Sequence, residues 1–195
     1  MVSSFILASA SPRRRELLRD AGYTFRVEPA DVDEESFPPT IFPADLAMGL
    51  ALTKAEVVSG RFPTEVVLAA DTVVAFGDVI LNKPRDADHA RWMIDLLAGT
   101  THVVITGVAV LRQTPSVHRL TRVMSAVRMR PMSSAEIDRY VASEQWRGKA
   151  GGYGLQDHAG KPDPFVTRMT GSTSNVVGLP MKTVDRIFAE IGVRK

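Results

Sequence analysis

The order of apolar and polar positions predicts an α/β protein whose chain starts with a strand, a tight turn and a helix. The apolar run Phe5–Leu7 is typical of a short buried strand. Ser11 is a favourable helix N-cap, Pro12 suits the first helical position, and Gly22 is a suitable residue just beyond the helix end.

Further apolar runs and helical periodicities extend this pattern along the chain. We expect Gly60 to stop the second helix, and Gly77 with Asp78 to form a two-residue hairpin turn. The two longest runs are β-rich and partly alternating, which favours antiparallel pairing. The predicted strands cover residues 5–7, 23–28, 65–70, 73–76, 79–81, 101–112, 117–130 and 165–169, and the predicted helices cover 12–21, 43–59, 86–97, 133–143 and the segment from 180 onward.

Three arginines occupy the first turn of the first predicted helix, where the helix dipole disfavours cations. Each should cost about 0.3–1 kcal/mol there unless an anion binds at the same place. At about 100° per residue, Arg14 falls on the apolar face, Arg13 falls at its edge and Arg15 points away. We therefore predict that Arg13 and Arg14 bind an anion, the alternative being a basic surface turn.

Asp71 interrupts an otherwise continuous apolar run. A carboxylate in a buried strand is costly unless it is paired or bound to a metal. Asp71 is therefore the best candidate for a catalytic carboxylate, and the alternative is a turn or capping residue. The acidic loop over residues 31–35 offers Glu34 or a neighbour as an oxygen ligand for a cation such as Mg²⁺, although most acidic loops are simply solvated.

Two lysines and a glycine-rich loop complete the candidates. Lys54 projects from the apolar face of its helix, so it either extends to solvent or reaches a buried anion. Lys83 follows a strand, where ligand-binding groups often lie in α/β folds. The glycine-rich loop 148–156 ends at Gln156, whose amide can recognise a base edge, and an ordinary flexible loop is the alternative.

Composition narrows the possible classes of function. The 195 residues contain no cysteine, which excludes disulfides, thiolate metal sites and a cysteine nucleophile. A net charge of +2 is too small to predict stable nucleic-acid binding. The four histidines lack metal-ligand spacing, and we expect them on the surface or in loops. Neither a membrane-spanning run nor a signal peptide is evident, so we expect a cytoplasmic protein.

Taken together, the motifs resemble the Maf family of nucleotide pyrophosphatases over nearly the whole chain. The resemblance is specific because several motifs occur in the family's order. They are Leu7-Ala8-Ser9-Ala10-Ser11-Pro12-Arg13-Arg14, Val32-Asp33-Glu34, Lys54-Ala55, Ala70-Asp71-Thr72-Val73, Lys83-Pro84-Arg85, the run from Lys149 to Gln156, and Val177-Gly178-Leu179-Pro180.

The resemblance implies one catalytic domain over residues 1–195, with two lobes around a cleft, and commonly a homodimer. It implies hydrolysis of a nucleoside triphosphate to the monophosphate and pyrophosphate with Mg²⁺ or Mn²⁺, and a house-cleaning role linked to cell-division arrest. Thr72 beside Asp71, together with Gln156 and Arg13, resembles the branch that prefers dTTP and UTP rather than the 7-methyl-GTP branch. Asp157 and the longer segment 158–164 depart from the branch pattern beside the expected base pocket.

The roles that follow are expectations from this resemblance. Arg13, Arg14, Lys54 and Lys83 would hold the triphosphate, and Ser9 would help to position it. Glu34 and Asp71 would bind the metal, and Asp71 would also accept the proton of the attacking water; the sequence leaves open which of its two roles, ligand or base, Asp71 has. The residues alone also allow a nucleotide- or nucleic-acid-binding regulator without turnover, or a phosphotransferase.

Overall fold

A mixed β-sheet forms the centre of the molecule, and the computed structural model describes it within residues 4–33, 37–38, 40–155 and 164–195. The first strand pairs in parallel with its two neighbours, and all the other pairings are antiparallel. The order is β2-β1-β3-β5-β6-β7, with β4 also on β3. The strands are β1 (Phe5–Leu7), β2 (Phe25–Val27), β3 (Val67–Phe76), β4 (Val79–Leu81), β5 (Thr101–Arg112), β6 (Val117–Met129) and β7 (Val166–Thr170).

Helices flank the sheet, as the sequence pattern predicted, with two differences. Gly60 does not stop the second helix: it lies inside that helix, where a helical glycine costs about 1 kcal/mol but is tolerated. A short helix before residue 178 was not predicted, because it is only five residues long. The helices are α1 (Pro12–Asp20), α2 (Pro43–Arg61), α3 (Ala87–Leu97), α4 (Ser134–Ala142), α5 (Thr173–Val177) and α6 (Met181–Ile191), and a 3₁₀ turn covers Ala150–Gly152.

The helix starts follow local signals in the sequence. Ser11 caps α1, and Pro12 is the first helical residue, as predicted. Asp86 accepts a hydrogen bond of 2.7 Å from the His89 amide at the start of α3. Ser133 and Glu136 form the reciprocal capping box that the sequence indicated for α4. No helix in the described part of the chain is both long and apolar enough to span a bilayer.

The two faces of the sheet are covered by different helices. On one face, Leu68 and Ala70 of β3 belong to a core that includes Phe188 of α6. On the other face, Val67 and Ala69 pack with Ala51, Ala55 and Val58 of α2. Because side chains alternate along a strand, Asp71 shares the α2 face and Thr72 the opposite face.

Gly107 brings α2 unusually close to the sheet. It lies opposite Asp71 in the pairing of β3 with β5. A Cβ at this position would overlap the carbonyl oxygen of Ala47 and lie 2.5 Å from its carbonyl carbon, both in the backbone of α2. The absence of a side chain therefore sets the distance between α2 and the carboxylate on β3.

Candidate active site

A gap along one edge of β3 forms the candidate site. At one end of this edge β1 pairs with Val67 and Leu68, and at the other end β4 pairs with residues from Val74 onward. Among the described residues, no strand lies beside residues 70–73 on this edge. The gap lies beyond the carboxyl end of β1, which is where ligands commonly bind in open α/β sheets.

A cleft of about 560 Å³ occupies this gap. It gathers all the predicted site residues that the structure describes, namely Ser9, Arg13, Arg14, Lys54, Asp71, Thr72 and Lys83. Glu34 and Gln156 lie outside the described residues. The cleft is completed by the turn after β1, by residues 29–32, by residues 147–150 and 153–155, and by the end of α5.

Lys54 and Asp71 form an ion pair beneath the cleft. The Lys54 Nζ lies 2.6 Å from Asp71 Oδ1, and each side chain is 11% exposed. Lys54 therefore reaches a buried anion instead of extending to solvent. Asp71 lies within a continuous β3, so the alternative of a turn or capping aspartate is wrong. Removing either partner would leave a largely desolvated charge, which is strongly destabilising.

Arg14 is held in place by three different segments. Its Nε donates to the Gly178 carbonyl at 2.8 Å, its Nη1 to Ser9 Oγ at 2.9 Å, and its Nη2 to Thr72 Oγ1 at 3.1 Å. The Thr72 hydroxyl also lies 2.9 Å from that of Thr106. The guanidinium thus points inward from α1, as its helical position predicted, and forms a fixed positive charge at the cleft.

Arg13 joins the first turn of α1 to the glycine-rich loop. Its Nη2 donates to the Gly148 carbonyl at 3.2 Å. Since both arginines lie in the cleft at the start of α1, they and the helix amides present positive charge to one volume. This arrangement suits an anion and is not an ordinary basic surface turn.

The glycine-rich loop is anchored at its described residues. Gly151 adopts a φ of +69° and packs so closely on β3 that a Cβ would lie 3.0 Å from a methyl of Val74. Tyr140 Oη donates to the Gly152 carbonyl at 3.0 Å, and the Tyr153 hydroxyl lies 2.6 Å from His102 Nε2. These contacts argue against a flexible loop over this part of the motif.

The position of His102 corrects the expectation of surface histidines. It is 1% exposed on β5, and this burial lowers its pKa to about 4, so the imidazole is neutral near pH 7. Burial likewise raises the pKa of the Tyr153 hydroxyl. Alternation along β5 places His102 on the same face as Val104 and Thr106, which are also buried. The alternation along β5 could therefore have indicated that His102 is buried, and with it the His102–Tyr153 contact that the sequence analysis missed.

Two further cations at the cleft were also missed as site residues. Arg147 and Lys149 both contribute to its lining. Among the described lining residues, they raise the Lys and Arg count to six, against the two carboxylates of Asp31 and Asp71. The excess of positive charge fits a polyanion better than a neutral ligand.

The donors available for a metal are few but of the right type. The described residues contain no group of three acidic or histidine side chains placed to hold an ion. Asp31 and Asp71 nevertheless line the same cleft as the basic residues. Mg²⁺ is usually held by one or two carboxylates together with substrate phosphates, so this sparse oxygen set fits a cation that arrives with a phosphorylated ligand.

Comparisons with known proteins agree over almost the whole chain. A family model described as Maf-like protein matches residues 4–191. A dTTP/UTP pyrophosphatase of Caulobacter vibrioides is 46% identical over 193 residues, covering 98% of this chain and 97% of the relative. Proteins of the same name from Salinibacter ruber and Anaeromyxobacter dehalogenans are 45% and 43% identical, covering 93% and 98% of this chain and 87% and 96% of the relatives.

Proposed function

The chain belongs to the Maf-like protein family, and from this premise we propose that it hydrolyses dTTP and UTP to the nucleoside monophosphate and pyrophosphate. The observation that carries the proposal is the buried Lys54–Asp71 pair at the base of a basic cleft. A carboxylate held next to a polyphosphate site can accept a proton from an attacking water.

The positive charges support a role in holding the triphosphate. Arg14 is preorganised by Ser9, Thr72 and Gly178, so little reorganisation is needed when charge develops on the phosphates. Arg13 and Lys83 line the same cleft and would contact the remaining phosphate oxygens. The roles of Ser9 and Thr72 are to orient Arg14 and to contact the substrate beside it.

Asp71 is proposed to be the proton acceptor. Water attacks the α-phosphorus, its oxygen forms the new P–O bond, and its proton passes to the Asp71 carboxylate. The bond from the α-phosphorus to the bridging oxygen breaks, and pyrophosphate leaves with the bonding electron pair. Lys54 compensates the carboxylate charge and holds it in one orientation through the 2.6 Å contact. The work is mainly positioning and electrostatic stabilisation.

A divalent cation, Mg²⁺ or Mn²⁺, is part of the proposal. Asp71 would hold it with Glu34, whose role rests on the family resemblance because it lies outside the described residues. When bound, such a cation neutralises phosphate charge and stabilises the leaving pyrophosphate. Activity that survives exhaustive treatment with EDTA would contradict this part of the proposal alone.

The preference for thymine or uracil is proposed to involve Arg13, Thr72 and Gln156. The names of the relatives support this branch, and the neighbouring Asp157 is a departure from its pattern. Hydrolysis of 7-methyl-GTP in preference to dTTP and UTP would keep the reaction and reassign the branch.

The decisive experiment compares Asp71→Asn with Asp78→Asn, a matched change in the exposed β3–β4 turn. The purified proteins are incubated with dTTP, UTP, CTP, GTP and 7-methyl-GTP, with and without Mg²⁺ or Mn²⁺, and the products are separated by chromatography. We expect monophosphate and pyrophosphate from wild type and Asp78→Asn, and a loss of about 10²–10⁴-fold in Asp71→Asn. Circular dichroism and nucleotide binding confirm that each variant is folded.

Three results would contradict the proposal. Full turnover by a folded Asp71→Asn variant would remove the assigned proton acceptor. Diphosphate and phosphate as products would place attack at the γ-phosphorus. Binding of nucleotide or DNA by wild type without turnover of any triphosphate would favour a regulator instead.

The cellular location and the oligomeric state of the protein are also part of the proposal. The absence of cysteine suits a reducing compartment such as the cytoplasm. A homodimer is proposed from the family resemblance, and light scattering coupled to size-exclusion chromatography tests it directly. A monomer across the micromolar range would contradict that assignment.

A further inference from the structure

Arg147 lines the cleft and forms a weak, exposed ion pair with Glu144. It belongs to the lining of the cleft, and its Nη2 lies 2.6 Å from Glu144 Oε1. The two side chains are 60% and 62% exposed, so the pair is screened by solvent. Exposed ion pairs of this kind contribute little, and exchanging the partner for a stronger anion is therefore inexpensive.

The Arg147 guanidinium stacks on a rigid aromatic ring. It lies 4.7 Å above the centre of the Trp146 ring. Trp146 is 2% exposed, and its indole nitrogen donates to the Val141 carbonyl at 3.0 Å. A planar guanidinium stacked on a fixed ring keeps its donors directed outward, which suits recognition of phosphate.

The same loop already contacts the arginine turn. Gly148, the next residue, accepts the hydrogen bond from Arg13 Nη2. Arg147 is thus one residue from a contact that joins the two walls of the cleft. A phosphate chain bound by Arg13 would occupy the same cleft that Arg147 lines.

The other arginines of the cleft are already engaged in protein contacts. Arg14 uses Nε, Nη1 and Nη2 for Gly178, Ser9 and Thr72. A triphosphate carries about four negative charges near neutral pH, more than such preoccupied groups can match with hydrogen bonds. Arg147 supplies an exposed guanidinium whose ion-pair partner, Glu144, is itself an exposed side chain.

We propose that Arg147 exchanges Glu144 for the terminal phosphates of the substrate, and so binds the part that leaves as pyrophosphate. This inference rests on the proposed function. In the absence of substrate, Glu144 binds the Arg147 guanidinium, and it therefore competes with the substrate phosphates for this group. The consequence is that substitutions of the two partners have opposite effects on phosphate binding.

The test uses Arg147→Gln and Glu144→Gln, with Arg186→Gln as the matched control. Arg186 forms a comparable pair with Glu190 at 2.8 Å on α6 and is outside the described cleft lining. Glutamine is chosen at 144 because Glu144 has a φ of +57°, and glycine would also relax the backbone. Calorimetry measures the dissociation constant for inorganic pyrophosphate, and steady-state assays measure KM and kcat for dTTP.

We expect Arg147→Gln to weaken pyrophosphate binding about tenfold and to raise KM by a similar factor. Glu144→Gln should tighten binding about two- to threefold, because it releases the guanidinium. Arg186→Gln should match wild type, which controls for the change in net charge.

The outcomes separate this inference from the proposed function. If wild type hydrolyses dTTP and binds pyrophosphate but Arg147→Gln equals Arg186→Gln, the inference is overturned and the function stands. If both loop variants weaken binding equally, the loop has only a structural role, which also overturns it. If wild type neither binds pyrophosphate nor hydrolyses any triphosphate, the proposed function falls and this inference falls with it.

Discussion

Replacing Gly107 with alanine should disable the site by pushing α2 away from the sheet. Gly107 lies opposite Asp71 on β5, and its missing side chain allows α2 to approach. An added Cβ would lie 2.5 Å from the Ala47 carbonyl carbon, whereas ordinary contact begins at 3.4 Å. The obstacle is helix backbone, so a change of rotamer cannot relieve it.

The size of the effect follows from this distance. Moving the Ala47 carbonyl carbon from 2.5 Å to 3.4 Å requires α2 to retreat by at least about 0.9 Å, because the carbonyl oxygen lies closer still. If Lys54 keeps its side-chain conformation and the helix retreats along the line of the contact, the Lys54–Asp71 distance lengthens from 2.6 Å to about 3.5 Å, beyond a good hydrogen bond. We expect a loss of about 1–3 kcal/mol in the free energy of unfolding, and a fall in kcat/KM on the order of 10²-fold.

Gly60→Ala provides the matched control within α2. A Cβ there meets nothing within 4 Å, and the residue is exposed and helical. We expect this change to stabilise the protein by about 0.5–1 kcal/mol and to leave kcat/KM unchanged. Urea denaturation gives the free energy of unfolding, and the product assay with dTTP gives kcat/KM. A Gly107→Ala variant that equals wild type in both would refute the argument that close approach of α2 sets the site geometry.

Three further predictions concern other parts of the molecule. His102 has its pKa lowered to about 4, so the unfolded chain binds a proton that the native state does not between about pH 6.5 and pH 4. Stability should therefore fall on acidification across that window, by up to about 3 kcal/mol from this group, and urea titrations should show a smaller fall in His102→Gln. Arg14→Lys should fold but lose about 10–100-fold in kcat/KM, because an ammonium cannot reproduce the three directed contacts, and activity near wild type would contradict this. Ser133→Ala should lower the free energy of unfolding by about 1 kcal/mol through loss of the α4 cap, with dTTP hydrolysis unchanged.

The elements that sequence predicted best depend on local interactions. The caps at Ser11, Asp86 and Ser133 act within one helical turn, and the structure confirms all three. The run 101–112 coincides with β5, because its β-branched residues and alternation are strong over twelve residues. The prediction that Gly60 stops α2 is wrong, since packing of the helix outweighs the modest cost of one glycine.

The sequence indicates which residues form the candidate site more readily than it indicates which residues they contact. Helical periodicity gave the inward direction of Arg14, and the interrupted apolar run marked Asp71. The contact of Lys54 with Asp71 depends on how α2 docks against β3, which local pattern does not encode. Arg147 was missed because a single exposed cation in a loop is uninformative until the fold brings it to the cleft.

The long sequence separation between Arg14 and Gly178 has a consequence for biosynthesis. The two are 164 residues apart, and Phe5 of β1 packs against Phe188 of α6 with ring centres 4.7 Å apart. At about 5–20 residues per second, translation of the intervening segment takes roughly 8–33 s. During that time the apolar residues of β1 lack their final covering and are available to chaperones. A ribosome-stalled chain in which Gly178 and α6 are still within the exit tunnel should bind no nucleotide, and competence should appear only once that helix emerges.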